Sequence, residues 1–279
     1  MPNVLVVKTD LTKTPISHVS LRCGAQLNGT EVHWEKNGVA LSQMGNHITV
    51  TVVEMHGGNF TCYDHTTGSY LSHTLVLVQP LKYRPMILVT SHHSEHIECV
   101  SKNYSGEFHC SWKWNPIRNG MVVSFSAMRS SGEINCSLDS DGSGLTCMDP
   151  NQCPYAEEKN RIDLTLFVRN KYRLEEYSRR FYLHEIVKPE KVNISRVKEG
   201  EFEWHYPDTW NRPCSYFSLV FEVKVVPLGK SCGHEGGNAE VMTDQTSFKV
   251  DDNSAYTFCV RAKDPLTSSA IWSDWSHYE

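Results

Sequence analysis

The chain has 279 residues, which is long for a single hydrophobic core and suggests two or three domains. Its formal net charge of −5 argues against nucleic acid or an anionic membrane as a partner, because it predicts no broad basic surface. Ten cysteines indicate an oxidising compartment, and several N-glycosylation sequons agree with that. The sequons lie at Asn28, Asn59, Asn103, Asn135 and Asn193.

The sequence has no apolar run near the ~20 residues that a membrane-spanning helix needs. Its opening stretch, residues 1–10, lacks the basic and long apolar regions of a signal peptide. We therefore expect a mature, secreted, extracellular chain without a membrane anchor.

Strand-type sequence runs through the whole chain. Short β-branched or aliphatic runs alternate with Gly, Asn and His clusters, and no stretch sustains an amphipathic helix beyond two turns. This pattern predicts an all-β fold of packed sandwiches. The clearest runs are 4–7, 48–53, 71–78, 121–128, 162–168, 216–226 and 255–262.

Two proline-containing stretches, 80–85 and 188–190, interrupt the strand pattern. They predict three domains of about one sandwich each. The predicted boundaries are 1–81, 82–188 and 189–279.

The first segment has the residue order of an immunoglobulin-like domain. Cys23 is followed by Trp34 and then by Cys62, as in a buried disulfide packed on an indole. Phe60 stands two residues before the second cysteine, where a tyrosine corner would carry a hydroxyl. Only a hydrogen bond is lost by that departure, so the fold prediction stands.

The second segment carries two pairs of closely spaced cysteines and one cysteine more. The spacing predicts a disulfide between Cys99 and Cys110 and another between Cys136 and Cys147. Cys153 is left over, which indicates an intermolecular disulfide or a reactive thiol. The CxxC and paired-histidine spacings of a zinc site are missing, so we predict no metal and no cofactor.

The third segment ends in Trp272-Ser273-Asp274-Trp275-Ser276. Two tryptophans three residues apart project to one side of a polyproline II segment. Arg261 and Lys263 share one face of the preceding strand with Cys259. We therefore predict that these cations interleave with Trp272 and Trp275 in a cation–π stack; two ordinary core tryptophans are the alternative.

Longer stretches carry a family resemblance. The immunoglobulin-like segment, the four-cysteine segment and the WSxWS-ended segment together resemble class I cytokine receptor ectodomains. The chain resembles more closely the soluble beta subunits shared by interleukin-12 and interleukin-23, as a distant vertebrate form. The stretches that carry this are 71–73, 102–106, 153–158, 206–210, 215–219 and 260–262.

That resemblance implies one Ig-like sandwich followed by two fibronectin type III sandwiches, without catalytic activity. It also implies pairing with a four-helix alpha subunit to form a secreted heterodimeric cytokine that signals through a cell-surface receptor chain. The implied contact surface is the elbow between the second and third segments. There Tyr104, Tyr216 and Asp264 would form a socket for an arginine of the partner. Tyr104 could instead be simply exposed beside a glycosylated Asn103.

Cys153 matches the family's cysteine that bonds the alpha subunit, and the same thiol would permit a homodimer. The third segment departs from the family's cysteine pattern, with Cys214, Cys232 and Cys259 forming an odd set. We predict a Cys232–Cys259 disulfide, which leaves Cys214 free. Residues 227–240 are nearly neutral where the family is basic, so heparin binding is doubtful.

Three other function classes compete with the cytokine-subunit interpretation. A soluble or truncated ectodomain of a class I cytokine receptor would have the same three domains. An enzyme is disfavoured, because the sequence has no G-x-S-x-G elbow, no H-E-x-x-H and no P-loop. An adhesion protein of the immunoglobulin type fits the layout but does not explain the WSxWS box.

Overall fold

The computed structural model describes residues 3–10, 16–24, 31–53, 56–81, 85–91, 95–211, 217–234, 239–251 and 255–278. Within these ranges the secondary structure is strands and two short 3-10 helices, which confirms the all-β prediction. Tyr216, Cys214 and the sequon residue Asn28 lie outside the described residues.

The strands of the first half of the chain are short and follow one another closely. They are β1 (Val4–Asp10), β2 (Ile16–Arg22), β3 (Val32–Lys36), β4 (Val39–Met44), β5 (His47–Val53), β6 (Gly58–Asp64), β7 (Tyr70–Leu81), β8 (Ile97–Val100), β9 (Glu107–Trp112), β10 (Met121–Arg129), β11 (Gly132–Glu133), β12 (Asn135–Leu138) and β13 (Gly144–Met148).

The second half continues in the same style. Its strands are β14 (Ile162–Asn170), β15 (Arg173–Phe181), β16 (Asn193–Lys198), β17 (Glu201–His205), β18 (Val220–Pro227), β19 (Ala239–Thr243), β20 (Ser247–Lys249), β21 (Tyr256–Lys263) and β22 (Ser276–Tyr278). The two 3-10 helices are Leu183–Glu185 and Asp208–Asn211.

The chain divides into two compact units. The first comprises Met1–His96, Lys113–Phe125 and Thr165–Tyr177, and the second comprises Ile97–Trp112, Ser126–Leu164 and Ser178–Glu279. Strands β10, β14 and β15 contribute residues to both. The three-domain boundaries at 81/82 and 188/189 remain a prediction.

The first unit contains a sandwich. One sheet has the order β11-β10-β14-β15-β7-β6-β3-β4, with β1 parallel to β7, and β2 pairs antiparallel with β5. Strand β5 alternates exposed and buried residues, as expected for a sheet with one face on a core. Trp34 lies fully inside this core beside Cys62, and its indole N–H donates to the Gly45 carbonyl at 2.9 Å.

The second unit contains three sheets. Their orders are β12-β13-β9-β8, β16-β17-β20 and β19-β18-β21-β22. The last two enclose one aromatic core, in which Trp204, Phe221 and Phe258 are fully buried. Ring centroids there lie 5.5 Å apart for Trp204 and Phe221, an edge-to-face contact.

The run predicted at 216–226 begins pairing later than its sequence suggests, at Val220. The preceding backbone groups bind side chains instead of a neighbouring strand. The Phe217 carbonyl accepts from the Trp210 indole N–H at 2.9 Å, and the Leu219 N–H donates to the Tyr206 hydroxyl at 3.0 Å. These bonds take up two of the backbone groups that a sheet would otherwise use, and the strand starts after them.

Candidate partner-binding site

Tyr104 and Asp264 form a buried pair in the second unit. Tyr104 lies in the loop between β8 and β9, and Asp264 follows the last residue of β21. The Tyr104 hydroxyl donates a hydrogen bond to Asp264 Oδ2, and the Leu266 N–H donates to Oδ1 at 2.7 Å. The exposed fractions are only 8% for Tyr104 and 2% for Asp264.

The Tyr104 ring is fixed by aromatic packing. Its centroid lies 4.9 Å from that of Phe217 and 6.0 Å from that of Trp210. Burial, and then the hydrogen bond and negative charge of Asp264, raise the pKa of Tyr104 far above its ordinary value. The phenol therefore stays protonated and acts as a donor at physiological pH.

The two residues before Tyr104 also bind the C-terminal part of the same unit. Lys102 Nζ lies 2.5 Å from Glu190 Oε1 and lowers the pKa of that carboxyl. Asn103 Nδ2 donates to the Thr209 carbonyl at 2.6 Å. Three consecutive side chains thus hold this loop, which we call the 102–104 clasp.

Gly106 ends the turn that carries the clasp. Its φ is +95°, and a Cβ there would lie 2.7 Å from Gln152 Cβ and 2.8 Å from the Asp149 carbonyl oxygen. A larger residue is therefore excluded by both backbone conformation and space.

The predicted arginine socket is only partly visible. The structure brings Tyr104 and Asp264 together, whereas Tyr216 lies outside the described residues. The pair is buried instead of forming an open site, because the Tyr104 hydroxyl already occupies the carboxylate.

Cys153 is exposed, and among the described cysteines it alone has no disulfide partner. The loop that carries it is anchored on both sides by the largely buried Arg129. The guanidinium donates to Gln152 at 2.8 Å and to Glu158 at 2.7 Å, and it lies 3.3 Å from Asp149. An accessible thiol is thereby presented on a firmly held loop.

Four disulfides join eight of the nine described cysteines. In two of them the partners stand directly opposite each other on paired strands, β8 with β9 and β12 with β13. The four are Cys23–Cys62, Cys99–Cys110, Cys136–Cys147 and Cys232–Cys259.

The tryptophans near the C-terminus stack with cations of β21. The Arg261 guanidinium carbon lies 4.7 Å from the ring centroid of Trp272 and 4.5 Å from that of Trp275. Lys263 Nζ lies 4.7 Å from the Trp272 centroid. The structure therefore places these four residues in an interleaved stack, and Arg261 also contacts the buried Glu222 at 2.5 Å.

The sequon asparagines differ in their surroundings. Asn135 and Asn193 are exposed, Asn59 is half-buried and Asn103 is buried. Among the described residues there is no cluster of His, Cys, Asp or Glu suited to a metal, and no helix long and apolar enough to cross a membrane.

Comparison with known proteins decides the family. A family model described as the C-terminus of the cytokine interleukin-12p40 matches residues 94–170. Interleukin-12 subunit beta of Homo sapiens is 30% identical over 260 residues, which cover 83% of this chain and 77% of that protein. The chain belongs to the interleukin-12 subunit beta family.

Other members of the interleukin-12 subunit beta family match over more of the chain. The Papio anubis protein is 29% identical over 304 residues, 98% of this chain and 90% of its own length, and the Ovis aries protein is 29% identical over 305 residues with the same coverage. These identities confirm the resemblance found in the sequence and the distance of this form. The family is one of cytokine chains, not enzymes.

Sequence reasoning missed two buried ionic groups in this family member. One is the Arg129 anchor beneath Cys153. The other lies in the first unit, where Glu175 accepts from Arg173 Nε and the Tyr177 hydroxyl at 2.5 Å each. The sequence of a strand does not show which partners its charged and polar residues contact. These two buried ionic groups are therefore visible only in the structure.

Proposed function

We propose that the chain is a secreted cytokine subunit that pairs with a four-helix alpha subunit. The resulting interleukin-12/23-type heterodimer would act on a cell-surface receptor chain. The relatives of this chain are called subunits, which supports the proposal that it assembles with another chain. The observation that carries the proposal is the exposed Cys153 thiol on its anchored loop.

Cys153 would form an intermolecular disulfide with the alpha subunit. In an oxidising compartment an accessible thiol without an intrachain partner is available for such a bond. The same thiol would allow a covalent homodimer when no alpha subunit is present.

The elbow that carries Tyr104 and Asp264 would be the non-covalent contact surface. A carboxylate offers about four acceptor sites, and the described contacts use two of them. Asp264 is buried in the chain by itself, so a partner arginine would reach it only once pairing had opened the loop, and it would then bind without displacing Tyr104. Such a contact would be strong because the surroundings are apolar and aromatic.

Co-expression with candidate alpha subunits tests the proposal. We expect a secreted complex that is covalent without reductant and non-covalent in Cys153→Ser. A covalent complex that persists in Cys153→Ser, or no complex with any four-helix chain, would overturn the assignment.

Asp264→Asn tests the elbow separately from folding. The amide oxygen can still accept from the Leu266 N–H while the amide NH2 donates to the Tyr104 hydroxyl, but the charge that attracts an arginine is gone. We expect a normally folded chain whose non-covalent pairing in the Cys153→Ser background falls at least tenfold. If Asp264→Asn paired with the alpha subunit as strongly as the unmodified residue does, the non-covalent contact would not involve Asp264.

A further inference from the structure

Asn103 begins a sequon, Asn103-Tyr104-Ser105, yet its side chain is engaged inside the protein. Its Nδ2 donates to the Thr209 carbonyl at 2.6 Å, and its Oδ1 accepts from the Ser105 N–H at 2.8 Å. The residue is 8% exposed. Both ends of the amide are therefore committed to contacts within the second unit.

N-glycosylation would place a sugar on the same nitrogen. The new bond replaces one Nδ2 hydrogen and requires open solvent next to that atom. One hydrogen would remain, but the sugar would have to share the space in which Nδ2 meets Thr209. A groove of about 480 Å³ opens beside the loop and is lined by Asn103 and Thr209 together. A sugar in that groove would take the place of the bond between them.

The neighbours of Asn103 raise the cost of moving it. Lys102 is paired with Glu190, and Tyr104 is bonded to Asp264 beneath Trp210 and Phe217. The two flanking side chains are thus held at separate points, and a displaced Asn103 would pull on both. A glycan at this sequon would therefore compete with the 102–104 clasp.

We propose that Asn103 carries no glycan in the folded, secreted chain, and that its amide serves as a lock for the loop that presents Tyr104. The exposed sequons at Asn135 and Asn193 lack this constraint and are open to modification. The inference rests on secretion, which is part of the proposed function, but it does not depend on any alpha subunit.

The test compares the chain with Ser105→Ala and Ser105→Thr after expression alone in a glycosylating host. Ser105→Ala removes the sequon and keeps Asn103, whereas Ser105→Thr keeps both. Intact mass before and after endoglycosidase should show the same number of glycans in all three proteins. One glycan fewer in Ser105→Ala would overturn the proposal.

Asn103→Ala tests the lock itself. It leaves the Thr209 carbonyl and the Ser105 N–H without their partner, so we expect a Tm about 3–6 °C below that of Ser105→Ala. An equal Tm for Asn103→Ala and Ser105→Ala would show that the Asn103 amide does not stabilise the loop. If Asn103→Ala is not secreted while Ser105→Ala is, the lock is also supported.

Discussion

Glu175 shows how a single buried carboxylate holds a segment of backbone in the first unit. Its Oε2 accepts from the N–H groups of Met86 and Ile87 at 2.9 and 2.8 Å, and Arg173 and Tyr177 bind the same carboxylate. Burial acts to raise the pKa of Glu175, but these hydrogen bonds outweigh it and lower the pKa below its ordinary value.

We predict that Glu175→Gln lowers the free energy of unfolding at neutral pH. We also predict that the free energy of unfolding of this variant falls less as the pH is lowered. Because the pKa of Glu175 is lower in the folded than in the unfolded chain, its ionised carboxylate stabilises the fold above the unfolded-state pKa of about 4.3. That stabilisation is lost as the pH falls through the pKa of Glu175 in the folded chain. Losing the charge beside buried Arg173 should cost about 3 kcal/mol. Urea unfolding between pH 3 and 7 measures both effects.

The exposed pair of Asp163 and Arg180 supplies the control for that titration. Asp163→Asn should change neutral-pH stability little, because solvent screens exposed ion pairs. A Glu175→Gln profile parallel to that of the unmodified chain would contradict the prediction.

Some residue pairs could be predicted from their spacing in the sequence, and others could not. The spacing of Cys99 and Cys110 pointed to neighbouring strands, where the structure joins them. The hydrogen bond between Tyr104 and Asp264 links loops that are far apart in the chain. No local pattern encodes it; the family resemblance is what brought the two residues together in the prediction.

The stack on β21 ties the last residues of the chain to a strand. We predict that Arg261→Ala lowers the unfolding free energy by about 3 kcal/mol or more, because Glu222 would be left buried without its cation. Two cation–π contacts would be lost as well. Chemical denaturation of the secreted variant measures the change.

Lys263→Ala is the matched comparison for Arg261→Ala. Lys263 contacts one ring at the edge of the stack, so its removal should cost only about 0.5–1 kcal/mol. Equal effects of the two substitutions would mean that Arg261 has no central role.

The loop that carries Cys153 depends on one cation. We predict that Arg129→Ala destabilises the chain by about 3–5 kcal/mol, since Asp149 and Glu158 would remain buried without a counter-charge. Arg161→Ala, at an exposed ion pair 3.9 Å from Glu185, should cost at most about 1 kcal/mol. Thermal melting of both variants decides the matter, and similar melting temperatures would refute the anchor.

The sequence predicted that these strands exist, but it did not predict the residues at which they begin and end. The run at 162–168 corresponds to Ile162–Asn170 and the run at 255–262 to Tyr256–Lys263. The start of Val220–Pro227 depends on hydrogen bonds from Trp210 and to Tyr206, which come from another part of the chain. Propensity within the run carries no information about those partners.

The molecule as a whole has two compact units, each with a buried tryptophan at its centre. Trp34 lies in the first core and Trp204 in the second. Because these two hydrophobic clusters share no residues, we expect calorimetry to show two transitions instead of one.

A single substitution in one core should lower the temperature of one transition and leave the other unchanged. Trp34→Phe removes a bond to Gly45 as well as volume and should lower one transition. Trp204→Phe should lower only the other, and by less, because among the described residues the Trp204 indole N–H has no acceptor. A single transition moved by both substitutions would contradict independent units.

The parallel pairing of β1 with β7 also has a consequence for synthesis on the ribosome. Val4 pairs with Leu75, a partner that is made roughly 70 residues later, about 4–14 s at ordinary translation rates. Strand β1 must wait through that interval with its edge unpaired.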